Sequence, residues 1–144
     1  MTGSFATPQD AEDAFYDAIE EGDAQALQAV WEDSHEIACL LPMQPMLHGA
    51  EVHEAFRPLT EGQVKLDIQV RHIRWIEAGD VAIHLIEEVV GSPGRPPQPP
   101  VYALNVYRRG ASGWRLLIHQ NAPTAPPPGA RPPGKGPGQA PPSG

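Results

Sequence analysis

The sequence predicts an α+β domain in which helices come first and an antiparallel sheet follows. Three observations carry this. Apolar residues recur at helical spacing near the start. They alternate with period two from residue 64 onward. A length of 144 residues with a single cysteine makes one domain without an internal disulfide framework.

The first helix is announced by Thr7-Pro8-Gln9-Asp10, which supplies an N-cap, a proline at the first helical position and an acid at the third. Ala11, Ala14, Phe15, Ala18 and Ile19 then form one apolar stripe. Gly22 stops the helix, and Asp23 caps a short second one whose buried face is Leu27, Val30 and Trp31. His35–Pro42 is a compact apolar run ended by proline and reads as a strand. A third helix is predicted over Ala50–Leu59, with Val52, Ala55, Phe56 and Leu59 on one side.

Val64–Glu77 alternates until Arg71-His72, where Ile73 and Trp75 fall out of step with Val70. A bulge there is predicted. Ala78-Gly79-Asp80 turns the chain into a strand over Val81–Val90. Gly91–Pro100, with the sequence GSPGRPPQPP, reads as an exposed loop. Val101–Arg109, the turn GASG and Trp114–Ala122 form a closing hairpin, in which strict alternation puts His119 on one side with Leu117 and Asn121. From Pro123 to Gly144 the chain is dominated by Pro and Gly and is predicted to be a disordered tail, leaving 1–122 as the folded domain.

The net charge is −8, and Arg131 and Lys135 are the only charges of the tail, so the body sets 8 Lys and Arg against 18 Asp and Glu. That balance excludes broad nucleic-acid or anionic-membrane binding, which needs a positive footprint. No apolar run approaches the roughly 18 residues of a membrane span. The opening MTGSFATPQD has neither a basic region nor an apolar core, so no secretory leader is expected and a cytoplasmic location is the default expectation.

Three stretches resemble a known superfamily: EEGDAQAL at 20–27, PMLHGAEVHEAF at 45–56 and NVYRRGASGWRLLIHQNAP at 105–123. Together they resemble the nuclear transport factor 2-like superfamily, which includes SnoaL-like cyclases, ketosteroid isomerases and scytalone dehydratases. The last hairpin and GAEVHEAF look most like the association domain of calcium/calmodulin-dependent kinase type II. The resemblance spans Pro8 to Ala122. It implies a cone-shaped fold, with helices packed on a curved sheet around an apolar pocket and self-assembly into a homodimer or larger ring. It does not imply one chemistry. Of the ketosteroid isomerase positions, the oxyanion-donor acid falls on Asn105, the donor tyrosine on Phe15 and the catalytic base near Leu41. Tyr16 lies beside Phe15 but one helical step, ~100°, around the axis. Two of three positions are therefore apolar, which argues against ketosteroid-type isomerisation.

Asn105 lies in the otherwise apolar strand YALNVY, where an amide must find partners or lose about 1–3 kcal/mol. It is either a ligand-facing donor or internally bonded. His48, His84 and His119 are candidates to face inward. Glu87 or Glu88 can partner one of them, since consecutive strand residues point to opposite faces. His119, Asn105 and Glu88 are thus the catalytic candidates, and the pocket set adds His84, His48, Trp31 and Phe15. The competing reading is that the histidines are hydrogen-bonded strand residues and that Trp31, Trp75 and Trp114 are core or interface residues. Arg71 and Arg74 suit either a carboxylate ligand or surface ion pairs.

Metal binding finds no support in spacing. His48 and His53 are five apart, not the four of His-Glu-x-x-His, and His35-Glu36 is isolated. Cys39 reads as an inert buried thiol, and no glycine motif precedes a helix to cradle phosphate. No metal and no cofactor is expected. Two functions remain. The preferred one is a homo-oligomeric association or binding module holding a small apolar or carboxylate ligand without turnover, with the Trp75 strand face between subunits. The alternative is a cofactor-independent acid–base enzyme (a hydro-lyase, isomerase or cyclase), which requires a His–carboxylate pair at the inward positions.

Overall fold

In the computed structural model, the described residues are 4–122 apart from 63 and 97. The tail expected from Pro123 lies outside them. Helix α1 (Pro8–Glu21) begins as the sequence dictates: Thr7 Oγ1 accepts the Asp10 N–H at 3.1 Å, and Pro8 occupies the first turn. It ends at Gly22 with φ 67°. A Cβ there would sit 2.9 Å from the Leu59 carbonyl oxygen, so glycine is demanded twice. Asp23 caps α2 (Ala24–Val30) by accepting the Ala26 N–H. Trp31 leaves the helix and bridges Leu116.

Six strands follow among the described residues: β1 (Ala38–Leu40), β2 (Leu47–His48), β3 (Asp67–Ala78), β4 (Val81–Gly91), β5 (Val101–Gly110) and β6 (Gly113–Ala122). They form one sheet in the order β2-β1-β6-β5-β4-β3. The sheet is mixed rather than purely antiparallel, because β1 runs parallel to β6. Period-two alternation cannot reveal strand direction, so the expectation missed this pair. The first strand is also shorter than His35–Pro42, and β3 starts at Asp67 rather than Val64.

The third helix divides in two. Gly49–Phe56 is a 3-10 helix, and α3 (Arg57–Thr60) restarts as a single α turn. Pro58 has no N–H to continue an α ladder, and the Arg57 N–H bonds Glu54 O at 3-10 spacing. Val52 and Phe56 are nevertheless buried, as the stripe requires. The bulge predicted near Arg71-His72 is present between His72 and Arg74. A second shift, between Val106 and Tyr107, skips Leu117. Leu116 and His119 therefore share the buried side, where alternation had put Leu117.

α1 lies across the concave side of the sheet. Phe15, fully buried, meets Tyr16, Trp31 and Phe56 edge-on at centroid distances of 4.9, 6.1 and 5.7 Å. Ala82, Ile86, Ala103 and Leu116 complete the core from the sheet. Truncating Phe15 to alanine would cost about 3–5 kcal/mol.

Candidate functional site

The middle of the concave face is polar. Register aligns Trp75, His84, Asn105, His119 and Cys39 on one rung across β3, β4, β5, β6 and β1. Period two then adds Glu88 on β4, Tyr107 on β5 and Asn121 on β6 to the same face. From above, α1 presents Glu12 and Tyr16, four apart and so on one side of the helix. His84, Glu88, Asn105, His119, Asn121 and Glu12 are all buried.

Five of these close a ring of hydrogen bonds. Asn105 Nδ2 donates to Tyr16 Oη at 2.9 Å. Tyr16 donates to Glu88 Oε2 at 2.6 Å. Asn121 Nδ2 donates to Glu88 Oε1 at 2.9 Å, and the two imidazole nitrogens of His119 reach Asn121 Oδ1 at 3.1 Å and Asn105 Oδ1 at 2.6 Å. Phe15 packs on the His119 ring at 5.1 Å. Asn105 spends its N–H2 on Tyr16 and Glu12 and Asn121 on Glu88, so both amides offer only oxygen to His119. A neutral imidazole donates once, and only the imidazolium satisfies both contacts. Burial works the other way and lowers the His119 pKa, opposed by the Glu88 carboxylate 3.9 Å away and by Asn121. The ring is thus a cradle built for a proton that desolvation keeps off. Tyr16 is held as a phenol by burial and by Glu88.

Glu12 is the hub of a second cluster sharing Asn105. Its Oε2 accepts from Tyr107 Oη at 3.1 Å and Asn105 Nδ2 at 3.3 Å, and lies 2.9 Å from His84 Nδ1. Its Oε1 lies 2.5 Å from His72 Nε2. Burial raises the Glu12 pKa, but the hydrogen bonds and charges of His84 and His72 outweigh it and hold it below the usual carboxylate value. Tyr107 stays a phenol through burial and the Glu12 charge. Glu12, His72 and His84 place one ligand atom each within 4.8 Å of one another, the geometry of a cation site.

Among the clefts formed by the described residues, two lie at opposite ends of the sheet. An apolar one of about 590 Å³ opens at the ends of β4 and β6, lined by Leu40, Leu41, Val90, Pro99, Val101 and Asn121. Asn121 is its link to the ring. A larger groove of about 1140 Å³ lies at the other end, between Gln25, Trp31, His35 and Arg115. Among the described residues, Trp31 Nε1 is the buried side-chain polar atom without a partner.

The structure therefore brings together His119, Asn105, Glu88 and His84, with Phe15 packed on the His119 ring. Trp31 belongs to the core beside Phe15 and borders the far groove. His48 does not join them: it is exposed and precedes the 3-10 helix, because Gly49 N–H bonds back to Ile37 O and turns the chain at the rim. Glu87 faces the opposite side and pairs with Arg71. Sequence reading missed Glu12, His72 and Tyr107, and it placed Asn121 on the side of His119 without making it a candidate. It set Tyr16 aside as rotated from Phe15, yet the sheet wraps α1 widely enough to bury both. The available signal was the Glu12/Tyr16 pair flanking the stripe at i, i+4.

Residues 9–126 match the SnoaL-like domain family. A candidate calcium/calmodulin-dependent protein kinase type II association domain from Thiobacillus denitrificans is 34% identical, with TM-score 0.78 over 85% of this chain and 98% of that one. A candidate dehydratase of the nuclear transport factor 2-like family from Streptomyces avermitilis is 28% identical, with TM-score 0.71 over 81% of this chain and 92% of that one. A nuclear transport factor 2-like protein from Salmonella enterica shares the fold at 15% identity, with TM-score 0.69 over 81% of this chain and 88% of that one. No curated protein matches the chain.

Proposed function

The chain belongs to the SnoaL-like domain family, and on that footing we propose that it is a homo-oligomeric, small-molecule-binding protein whose interior performs acid–base chemistry of the hydro-lyase or isomerase kind. The observation that carries this is the hydrogen-bond ring around His119. An all-apolar interior would have favoured a pure assembly module. Instead, a buried imidazole kept neutral by desolvation faces two fixed amide oxygens and the Glu88 carboxylate. Such a group gains its partners when it takes a proton, which is preorganised stabilisation of the charge that forms.

The apolar cavity ending at Asn121 suits a small, mostly apolar molecule. A substrate polar group that displaces Asn121 gains access to His119 Nε2. His119 then removes a proton from the carbon beside a carbonyl. Glu88 balances the imidazolium, while Asn105 and Tyr16 hold the ring in place. As the C=C bond forms, the β C–O bond breaks and the leaving hydroxyl takes the proton from the His119 imidazolium to depart as water, which completes a dehydration; return of that proton to a different carbon completes an isomerisation. The similarity to a candidate dehydratase supports the first outcome.

The test is water loss from an aryl β-hydroxy ketone series, followed as enone absorbance, with deuterium uptake from D2O read by NMR. Wild type should catalyse both, and His119→Gln should reduce them about 100-fold or more. Absence of both across the series, or an unchanged His119→Gln, overturns the reading.

Self-association has its own support. The convex face of the sheet carries Ile76, Val89 and Tyr102, exposed by 42, 38 and 40%. The 34% identical association-domain relative points the same way. Trp75 is not on that face: its ring lies 4.4 Å from His84 on the helix side, so Ile76 replaces it as the probe of the interface. Sedimentation should show a dimer or larger ring that Ile76→Asp dissociates; a wild-type monomer at micromolar concentration would end this part of the proposal.

A further inference from the structure

We infer that Glu12, His72 and His84 form a site for a divalent transition metal of the Zn2+ type. Helix α1 supplies the carboxylate, β3 and β4 one imidazole each. The bulge between His72 and Arg74 is what aims His72 and Trp75 at the same side of the sheet.

The distances fit. Tetrahedral Zn2+ with bonds of about 2.0–2.1 Å sets neighbouring donor atoms roughly 3.3 Å apart. The three donor atoms already lie within 4.8 Å of one another, and the carboxylate oxygens are 2.9 Å from His84 Nδ1 and 2.5 Å from His72 Nε2. Opening the group around an ion takes adjustments of about an ångström or less per ligand.

The surroundings have the form that metal ligands need. Tyr107 and Asn105 donate to the Glu12 carboxylate at 3.1 and 3.3 Å and fix its orientation. The Trp75 indole lies against both imidazoles, at 4.8 Å from His72 and 4.4 Å from His84. Charge argues in the same direction. Glu12 is only 1% exposed, and its partners are two imidazoles, an amide and a phenol. A divalent ion supplies the positive charge that such a buried carboxylate wants. The His72 side chain is 36% exposed, giving the ion a way in and a water a fourth position. Two nitrogens and one oxygen select Zn2+, Co2+ or Ni2+ over the oxygen-loving Mg2+ and Ca2+. The ligands come from residues 12, 72 and 84, so no local spacing motif announces them.

The site is distinct from the His119 ring and shares only Asn105 with it. The experiment is equilibrium dialysis of chelator-stripped, untagged protein against Zn2+, with metal counted by mass spectrometry and Trp fluorescence quenching read with Co2+ through Trp75. Wild type should take up one Zn2+ per chain, undisturbed by excess Mg2+. His72→Ala, at a partly exposed position where folding is checked by circular dichroism, should lose it. Tyr107→Phe should weaken it about tenfold. A variant with His35, His48 and His53 all changed to alanine should bind as wild type does. Sub-stoichiometric uptake by wild type, full uptake by folded His72→Ala, or loss in the triple variant each overturns the assignment. Deuterium exchange by stripped protein separates this outcome from failure of the acid–base reading.

Discussion

Asn105→Asp is the sharpest probe of the interior, because it changes one atom at the point where both polar clusters meet. Asn105 Nδ2 donates to Tyr16 Oη and to Glu12 Oε2. A carboxylate there would offer an acceptor to an acceptor, beside Glu12 and near Glu88. The folded variant must therefore hold one more proton than wild type, on the new carboxyl, which then donates where Nδ2 did. The unfolded chain releases that proton near pH 3.9. Holding it costs about 4 kcal/mol at pH 7 but only about 1.5 kcal/mol at pH 5. Asn105→Leu removes the amide without adding charge. It orphans His119 Nδ1 and loses hydrogen bonds, for about 2–4 kcal/mol, and does not share that recovery. Urea unfolding of the three proteins at both pH values reads the difference. A loss in Asn105→Asp that is the same at pH 5 and pH 7, or no loss at pH 7, would refute the assigned network.

Wild-type stability should itself fall with acid in two stages. The folded His119 pKa is depressed below 6.5, so from 6.5 downward the unfolded chain takes up a proton the folded one refuses. The Glu12 pKa is held below 4.5, so its stabilisation is intact above 4.5 and lost as pH drops through its folded value. Thermal melts of chelator-stripped protein from pH 8 to pH 3 check both, and a flat profile between pH 7 and pH 5 would contradict the first. Cys39 is buried and its thiol pKa is pushed up to about 12 by burial and by Glu88, so it should resist thiol reagents at pH 8 until the chain unfolds. Gly113→Ala puts a Cβ 2.6 Å from the Phe5 carbonyl oxygen at φ 96°, which should cost about 1–3 kcal/mol and free the N-terminal segment, read by chemical denaturation and limited proteolysis.

Much of the fold was legible in the chain. Thr7-Pro8 and Gly22 bound α1 because capping and left-handed φ are local properties. The slip at Arg71-His72 located a bulge because alternation reports the pleat directly. His119, Asn105, Glu88 and His84 were legible as candidates because a polar side chain in an apolar strand has to be accounted for. His48 looked equivalent in sequence and proved exposed, since nothing local says where a two-residue strand meets the rim.

Helix limits, strand alternation, the bulge and the presence of polar groups among apolar neighbours were thus set by interactions a few residues long. Tertiary structure decided the rest: the parallel pairing of β1 with β6, the skip at Leu117, the burial of Tyr16 beside Phe15, and the meeting of Glu12 with His72 and His84 across separations of 60 and 72 residues. A helix flank that reads as solvated becomes interior when a curved sheet closes over it. Hydrogen bonds between partners so far apart depend on register and helix placement, which the whole core determines and no local pattern encodes.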